Sequence, residues 1–382
     1  MTRKRMLWVL PIAAVLLFLA SSTAVAAAAQ NSDSGGGHGI QGAVFTATNA
    51  PTGNVVLAYK IAQDGSFTPA GDFSTGGTGT GASLADSGSL VLTSDHGWLL
   101  VVNAGSNTVS VFQVNSNLYY GFLLKLTDQV SSFGTLPVSI TVSGSFVYVL
   151  NAGTSSIPGN IFGYRLAHDG QLTPLIGSSQ PLSTSASTAP AQISFNPAGN
   201  VLVVTEKNTS VLDTYTVDHH GFASGPTITP SGGATPYGFA WARDATLVVS
   251  DAGPGALSTY SVAPSGVVTV VNPADVDGQA APCWVATVDG GQIAYTSNAH
   301  SGTISTYDVN RQGALTLVTA ISATTAAGDT DLAVGGWGSH YLFVSDVGTP
   351  EIQEFSIGWN GSLTIHNAVV GLPATSEGLA AF

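Results

Sequence analysis

The chain has 382 residues, of which 44% are hydrophobic and only 8% are charged, and its formal net charge is −13. This combination is typical of a folded protein and argues against a disordered one. Beyond residue 29, six Lys and Arg residues remain against 22 Asp and Glu residues. Such an acidic surface repels nucleic acid and anionic lipid, which excludes nucleic-acid binding as the function.

The beginning of the chain has the pattern of a secretory signal. A basic segment, Arg3 to Arg5, precedes an uncharged and mostly apolar run over residues 6–20, and small residues with Ala-x-Ala spacing follow. We therefore expect a cleaved signal peptide over residues 1–29 and a secreted or periplasmic protein. An uncleaved anchor that extends through the Ala-rich segment is the alternative. The Gly- and Ser-rich residues 30–41 predict a flexible leader, and residues 42–382 a single domain without further membrane contact.

One hairpin pattern repeats seven times along that domain. In LLVVNAGSNTVSVFQV (99–114), an apolar run ends at an Asn, a Gly-containing turn follows, and an alternating run leads away, as in two antiparallel strands. The polar residue that ends the first strand, here called the landmark residue, recurs every 45 to 55 residues. This period predicts four-stranded propeller blades. The landmark residues are Asn49, Asn103, Asn151, Glu206, Asp251, Asn298 and Asp346.

Strand-length segments flank every hairpin and predict an all-β fold. Four of the upstream segments begin with Pro, as in PVSITV (137–142), and the downstream segments follow a Gly turn, as in DGSFTPA (64–70). The first repeat lacks an inner strand, and SEGLAAF (376–382) resembles the missing one. We therefore predict a monomeric seven-bladed β-propeller whose C-terminal strand joins the first blade. A parallel β-helix or two β-sandwiches fit the period and the chain ends less well.

The repeats also carry a family resemblance over about residues 42–382. LLVVNAGSNTVSVF (99–112) and VYVLNAG (147–153) resemble the lactonase-family seven-bladed propellers, which include 6-phosphogluconolactonase-like proteins and are related to surface-layer propellers named for a Tyr-Val-Thr-Asn repeat. Residues 196–215 and 282–307 are similar to blades of secreted members. The resemblance implies the propeller fold and the hydrolysis of a lactone. It also covers a muconate cyclase and members with no assigned reaction, so it implies an activity less strongly than a fold.

Propeller topology sorts the polar residues by face. The loop between the second and third strands and the loop that enters the inner strand open on one face, here called the ligand face. We expect Glu206, Lys207, Asp251, His300, Asp346 and Glu351 at its rim, and Gln192, Tyr237, Trp284, Asp329, Asp331 and Glu377 toward the central funnel. The opposite face receives His96, His168, His219, His220, Arg243 and Arg311.

Lactone hydrolysis needs a base that activates water and donors that stabilise the oxyanion. Candidate bases are Glu206 and Glu377, with His300 as an alternative, and candidate donors are Lys207 with Gln192 or Tyr237. The Asn and Asp landmark residues have a structural interpretation, because short polar side chains hold turns.

Each candidate side chain also has a structural alternative. Glu206 and Lys207 could instead form an exposed ion pair. Tyr237 and Trp284 could stack on a substrate ring or belong to the core. Cys283 is interpreted as core packing and not as a reactive thiol.

The charge pattern favours an uncharged or sugar-type lactone, because Lys207 is the only basic side chain expected on the ligand face and a phosphorylated or polycarboxylate substrate would need more. The alternative function is a non-catalytic extracellular propeller that recognises a glycan, a peptide or a protein.

No cofactor is expected. Ca²⁺ is considered only because five carboxylates could converge near the funnel, and solvated acids are the simpler interpretation. Those carboxylates are Asp251, Asp329, Asp331, Asp346 and Glu377.

Overall fold

A computed structural model describes residues 40–115, 123–184, 187–288, 290–336, 338 and 340–382. The predicted signal peptide and nearly all of the predicted leader lie outside these residues. The first strand begins at Ile40, two residues earlier than the predicted domain start. No helix in the described ranges is long and apolar enough to cross a membrane.

Seven antiparallel sheets form the blades, and their strands follow one another along the chain. Blade 1 contains β1 (Ile40–Ala47), β2 (Val55–Ala62) and β3 (Phe67–Ser74), and blade 2 contains β4 (Leu90–Leu92), β5 (Trp98–Asn103), β6 (Thr108–Asn115) and β7 (Leu123–Ser131). Blade 3 contains β8 (Pro137–Ser143), β9 (Phe146–Asn151), β10 (Asn160–Leu166), β11 (Leu172–Pro174) and β12 (Gln180–Pro181). Blade 4 contains β13 (Pro190–Phe195), β14 (Val201–Glu206), β15 (Val211–Val217) and β16 (Ala223–Pro230).

Blade 5 contains β17 (Pro236–Trp241), β18 (Thr246–Asp251), β19 (Ala256–Val262) and β20 (Val268–Val276). Blade 6 contains β21 (Pro282–Val288), β22 (Ile293–Asn298), β23 (Thr303–Val309) and β24 (Leu315–Thr324). Blade 7 contains β25 (Asp329–Gly335), β26 (Tyr341–Asp346), β27 (Glu351–Ile357) and β28 (Leu363–Val370). A 3-10 turn at Arg243–Ala245 separates β17 from β18. The last strand, β29 (Glu377–Ala381), pairs with β1.

This arrangement confirms the predicted seven-bladed, all-β fold and its closure. β29 supplies the inner strand of blade 1, in the order β29-β1-β2-β3. Backbone bonds continue past the strand: Ala43 N–H donates to Phe382 O over 3.1 Å, and Phe382 N–H donates to Ala43 O over 3.0 Å. The pairing covers an edge of blade 1 that would otherwise be open.

Apolar side chains of adjacent blades interlock to form the core. Leu100 and Val102 of blade 2, for example, share a buried cluster with Ile140, Val147 and Val149 of blade 3. Both faces of each second strand are covered, which explains why its sequence is continuously apolar and does not alternate. Cys283 is free and buried, as the core interpretation requires.

Two of the landmark residues, Asn103 and Asn298, bond to the strand that follows their own turn. Asn103 Nδ2 donates to Ser110 Oγ over 2.8 Å and to Thr108 Oγ1 over 3.2 Å, and Asn298 makes the equivalent bonds to Ser305 and Thr303. These side chains tie the second strand of a blade to the third. The turns on the ligand face are therefore preorganised around buried polar groups.

Candidate functional site

Three carboxyl groups meet where the inner strands begin on the ligand face. Asp331 lies in β25, Glu377 begins β29, and Asp86 belongs to the connection between β3 and β4. Their exposed fractions are 4%, 3% and 2%, respectively. We call these three residues the carboxyl cluster. Buried carboxyls without a matching number of cations are costly unless protons or hydrogen bonds compensate.

Backbone amides satisfy part of this cluster. Leu332 N–H donates to Asp331 Oδ1 over 2.8 Å, and Leu379 N–H donates to Asp331 Oδ2 over 3.1 Å. Leu84 N–H donates to Glu377 Oε1 over 3.0 Å, which anchors the β3–β4 connection on the C-terminal strand. Within the described part of the chain, Glu377 Oε2 and Asp86 Oδ2 are buried without a hydrogen bond of normal geometry, while the Ser83 hydroxyl lies close enough to the Glu377 carboxyl to lower its pKa. These two oxygens can accept a proton or a ligand hydrogen bond.

Lys207 supplies the positive charge next to the cluster. Its ammonium group donates to Ala85 O and to Pro190 O, the latter over 3.4 Å, and lies 4.6 Å from the centre of the Tyr237 ring. Trp284 contacts Tyr237 edge to face, with 5.3 Å between ring centres. Trp284 Nε1 donates to Asp86 O over 2.8 Å. Trp284 therefore fixes the backbone that carries Asp86, and the Tyr237 ring lies beside the ammonium group of Lys207.

Burial favours the uncharged form of each carboxyl group in the cluster and of Lys207. It raises the pKa of Glu377 and of Asp331 to about 7 each. The pKa of Asp86 is raised well above its usual range, first by burial and then by the charges of Glu377 and Asp331. Burial lowers the pKa of Lys207 to about 8, although the charges of Asp86 and Glu377 oppose this shift. Groups with pKa values near the working pH are suited to proton transfer.

Two cavities lie beside this region, one lined by a member of the carboxyl cluster and the other by Lys207. Asp331 lines a cavity of ≈ 290 Å³ between the inner strands, here called the channel cavity. Lys207 lines a second one of ≈ 330 Å³ on the ligand face, here called the mouth cavity. The mouth cavity is mostly apolar, and Lys207 is the one charged residue that lines it in the described part of the chain; its other walls include Leu84, Leu136, Val138, Ala152 and Pro190. Its volume is within the range of small-molecule sites, roughly 300–1,000 Å³.

The structure brings together four of the seven predicted site residues: Glu377, Lys207, Tyr237 and Trp284. Tyr237 and Trp284 are also members of the apolar core, as their structural interpretation predicted. The three others lie elsewhere. His300 is exposed in the turn between β22 and β23. Gln192 lines the channel cavity and bonds the backbone of Phe239 through both ends of its amide, which links blade 4 to blade 5.

Glu206 is separated from the cluster by its own hydrogen bonds. Its side chain is 0% exposed, and Oε1 accepts Ser183 N–H over 2.9 Å. Oε2 accepts Thr209 Oγ1–H over 2.5 Å and the hydroxyl of Ser183. Burial and the neighbouring Glu206 carboxyl raise the pKa of Asp213 to about 8. The alternative interpretation, an exposed Glu206–Lys207 ion pair, was wrong, because Glu206 is buried and Lys207 faces Asp86 and Glu377 instead.

The five carboxylates considered for Ca²⁺ do not all converge on one site, although Asp329 lies opposite Asp346 in the pairing of β25 with β26. Asp251 accepts from Ser231 over 3.1 Å and from Ser258, and Asp346 caps its own turn by accepting Gly348 N–H over 2.7 Å. Only Asp331 and Glu377 of the five join the cluster. Among the described residues, no group of three or more His, Cys, Asp and Glu side chains has the geometry to hold a metal ion.

Asp86 is the member that sequence reasoning missed. It lies in a Gly-, Ser- and Thr-rich connection that has no strand pattern, and such a segment was not assigned to either face. One signal was present, because Asp86 is the only charged residue between Asp72 and Asp95. A single acid in an otherwise uncharged long connection is a sign that the connection enters the site.

The chain matches the family model described as "Lactonase, 7-bladed beta-propeller" over residues 248–373. The resemblance to the lactonase family is confirmed. None of the curated proteins matches the chain significantly. The matched segment spans β19 to β28 and therefore most of blades 5 to 7.

Solved structures share the fold at low sequence identity. The periplasmic gluconolactonase of Pseudomonas aeruginosa is 16% identical with a TM-score of 0.72, over 90% of this chain and 98% of that one. A proposed 6-phosphogluconolactonase of Bacteroides fragilis is 16% identical with a TM-score of 0.69, over 91% of this chain and 100% of that one. Virginiamycin B lyase of Staphylococcus aureus is 14% identical with a TM-score of 0.53, over 77% and 88%. At these identities the likeness shows the fold alone.

Proposed function

We propose that the protein hydrolyses an uncharged or sugar-type lactone at the carboxyl cluster. The observation that carries the proposal is Glu377, whose pKa is raised to about 7 and whose Oε2 has no hydrogen bond of normal geometry to a described residue, beside the ammonium group of Lys207. The cation lines a mostly apolar cavity of ≈ 330 Å³, and the base accepts a hydrogen bond from Leu84, another residue of that cavity's wall. The names of the similar structures support the same reaction class.

In the proposed reaction, the Glu377 carboxylate takes a proton from water as the water oxygen attacks the lactone carbonyl carbon. Lys207 and the Tyr237 hydroxyl stabilise the oxyanion that forms. The tetrahedral intermediate then breaks its ring C–O bond, and the Glu377 carboxylic acid returns the proton to the leaving alkoxide. One lactone and one water become one hydroxy acid, and Glu377 is regenerated.

The substrate class follows from the walls of the mouth cavity. Lys207 is the one charged residue among the described residues that line it, and is already opposed by Asp86 and Glu377. A phosphorylated lactone would bring at least one further negative charge next to three carboxyls, with no Arg to bind it. Uncharged lactones therefore fit this cavity better.

We further propose that residues 1–29 direct the protein to the periplasm or the exterior, in line with the periplasmic neighbour.

Enclosure of the cluster favours a second candidate function. The three carboxyls are at most 4% exposed, so they could serve the fold of a non-catalytic propeller whose ligand face binds a glycan, a peptide or a protein. In that case the mouth cavity would bind its ligand without turnover. The two functions differ in what Glu377 does, because only the hydrolase needs an ionisable group at that position.

The test measures acid release by the purified protein from glucono-δ-lactone, δ-valerolactone and γ-butyrolactone at pH 7.5 against spontaneous opening. We expect turnover in the wild type and its loss in Glu377→Gln, which keeps the shape and removes the base. Glu351→Gln, an identical change at the rim of the same face, is the matched control and keeps wild-type rates. A wild type that opens none of the three lactones contradicts the hydrolase and leaves the binding propeller.

A further inference from the structure

The opposite face of the ring has a cavity of ≈ 530 Å³, larger than the mouth and channel cavities. The turns that follow β4, β8 and β13 form its floor and walls, and Trp241 at the end of β17 closes one side. It therefore spans blades 2 to 5. It shares no residue with the proposed lactone site, and its volume suits a small ligand.

Two partly exposed indole rings line this opposite-face cavity, and both are held in place. Trp241 Nε1 donates to Ser194 Oγ over 3.3 Å. The six-membered ring of Trp98 lies so close to Gly170 that a Cβ there would be 2.3 Å from it. Gly170 has a φ of +83°, so the turn needs glycine both for its backbone and for the indole. Rigid aromatic surfaces lose little conformational entropy when a ligand stacks on them.

Polar groups surround the two indoles. The hydroxyls of Ser94, Ser143 and Ser145 line the cavity, and none of them bonds another described residue. Asp95 also lines it, and Oδ1 accepts Thr93 Oγ1–H over 2.6 Å and Gly97 N–H over 3.0 Å. These bonds hold the pKa of Asp95 below its usual value. Asp95 is thus an ionised and oriented acceptor for hydroxyl donors.

Charge and polarity limit the ligand to one chemical class. Among the described residues, no Lys or Arg lines the cavity, and Asp95 is the one acidic residue that does. An anion would meet no positive partner except through His168, and an apolar ligand would leave the serine hydroxyls without partners. A sugar ring satisfies both requirements, because its C–H face packs on an indole while its hydroxyls bond to serine and aspartate.

We propose that the opposite-face cavity binds a neutral oligosaccharide. Trp98 belongs to blade 2 and Trp241 to blade 5, so the two indoles provide separate stacking surfaces for at least two sugar units. This site does not depend on the lactone chemistry of the other face. A propeller with both sites would hold a glycan on one face while the other face processes or binds a small molecule.

The test titrates the full-length protein with cellohexaose, laminarihexaose, maltohexaose and mannohexaose and follows binding by calorimetry and tryptophan fluorescence. We expect saturable binding of at least one hexasaccharide. Trp98→Ala and Trp241→Ala each weaken that binding by about tenfold, the effect of losing one stacked ring. Trp359→Ala removes a tryptophan that is 94% exposed in the turn after β27, outside the cavity, and is the matched control.

Failure to bind any of the four hexasaccharides overturns the proposal, as does an equal loss in Trp359→Ala. Trp98→Phe and Asp95→Asn show whether a loss of binding comes from misfolding, because the first keeps an aromatic ring and the second keeps the Oδ1 acceptor of the turn. We expect each to weaken binding less than the alanine change at position 98 does. Glu377→Gln binds the hexasaccharide like the wild type, so loss of lactone turnover and loss of saccharide binding are separate outcomes.

Discussion

Glu206 and Glu377 are both buried glutamates at strand ends on the ligand face, yet their oxygens have different neighbours. Both oxygens of Glu206 accept bonds from Ser183 and Thr209. One oxygen of Glu377 accepts Leu84 N–H, and the other has no hydrogen bond of normal geometry to a described residue and lies in a cluster with Lys207. Burial is common to both residues. The difference in partners is the reason that we propose Glu377, and not Glu206, as the group that transfers a proton.

The largest expected effect comes from removing the two ionisable groups in turn. Glu377→Gln should lower lactone turnover by about 10²–10⁴-fold, the usual contribution of a general base. Glu206→Gln keeps an acceptor for Ser183 N–H and should leave turnover within about twofold while it lowers thermal stability. Initial rates and melting temperatures of both variants test the comparison. Loss of turnover in Glu206→Gln with an unchanged melting temperature would reverse the two roles.

Lys207→Met should have the next largest effect. Loss of an oxyanion donor lowers turnover by about 10²–10³-fold. The charge of Lys207 holds the pKa of Glu377 down, so without it that pKa rises and the remaining activity requires a higher pH. The rate against pH, measured in wild type and variant, should therefore show its rising limb displaced upward. Lys125→Met, an exposed lysine on β7, is the control and should leave the profile in place.

Replacing a landmark residue should affect stability alone. Asn103→Ala leaves the buried hydroxyl of Ser110 without its Asn103 contact and removes the acceptor for Asn54 Nδ2. A cost of about 1–3 kcal/mol in the free energy of unfolding is expected for partners left unsatisfied in the interior. Urea unfolding measures this cost. Turnover per folded molecule should stay at the wild-type value, and a selective loss of turnover would give the landmark turn a functional role.

The smallest effect is expected in the pH dependence of stability. The pKa of Asp213 is raised to about 8 beside Glu206, so the folded state holds a proton that the unfolded chain releases near pH 4. The stability contributed by this proton is complete below about pH 4 and is lost as the pH rises toward 8.

Asp213→Asn should therefore flatten the fall in melting temperature between pH 5 and 8, relative to the exposed control Asp308→Asn. An unchanged slope in Asp213→Asn would mean that Asp213 is ionised in the folded state.

Sequence reasoning predicted the fold and part of the site. The repeat period, the Pro-initiated inner strands and the unmatched chain ends were sufficient for seven blades closed by β29. Blade topology placed Lys207, Tyr237, Trp284 and Glu377 on one face, and the structure brings them together. Glu206 was the residue that broke the landmark pattern, but this departure serves a structural network with Ser183, Thr209 and Asp213.

The sequence by itself determined the ring, because strand period and turn chemistry are local properties that repeat in every blade. Only the tertiary structure decided which acid is chemically available, because that depends on neighbours distant in the chain. Leu84 lies 293 residues from Glu377, and Trp284 lies 198 residues from Asp86. Ring closure brings the β3–β4 connection against β25 and β29, and burial at that junction sets the proton affinities of Asp86, Asp331 and Glu377.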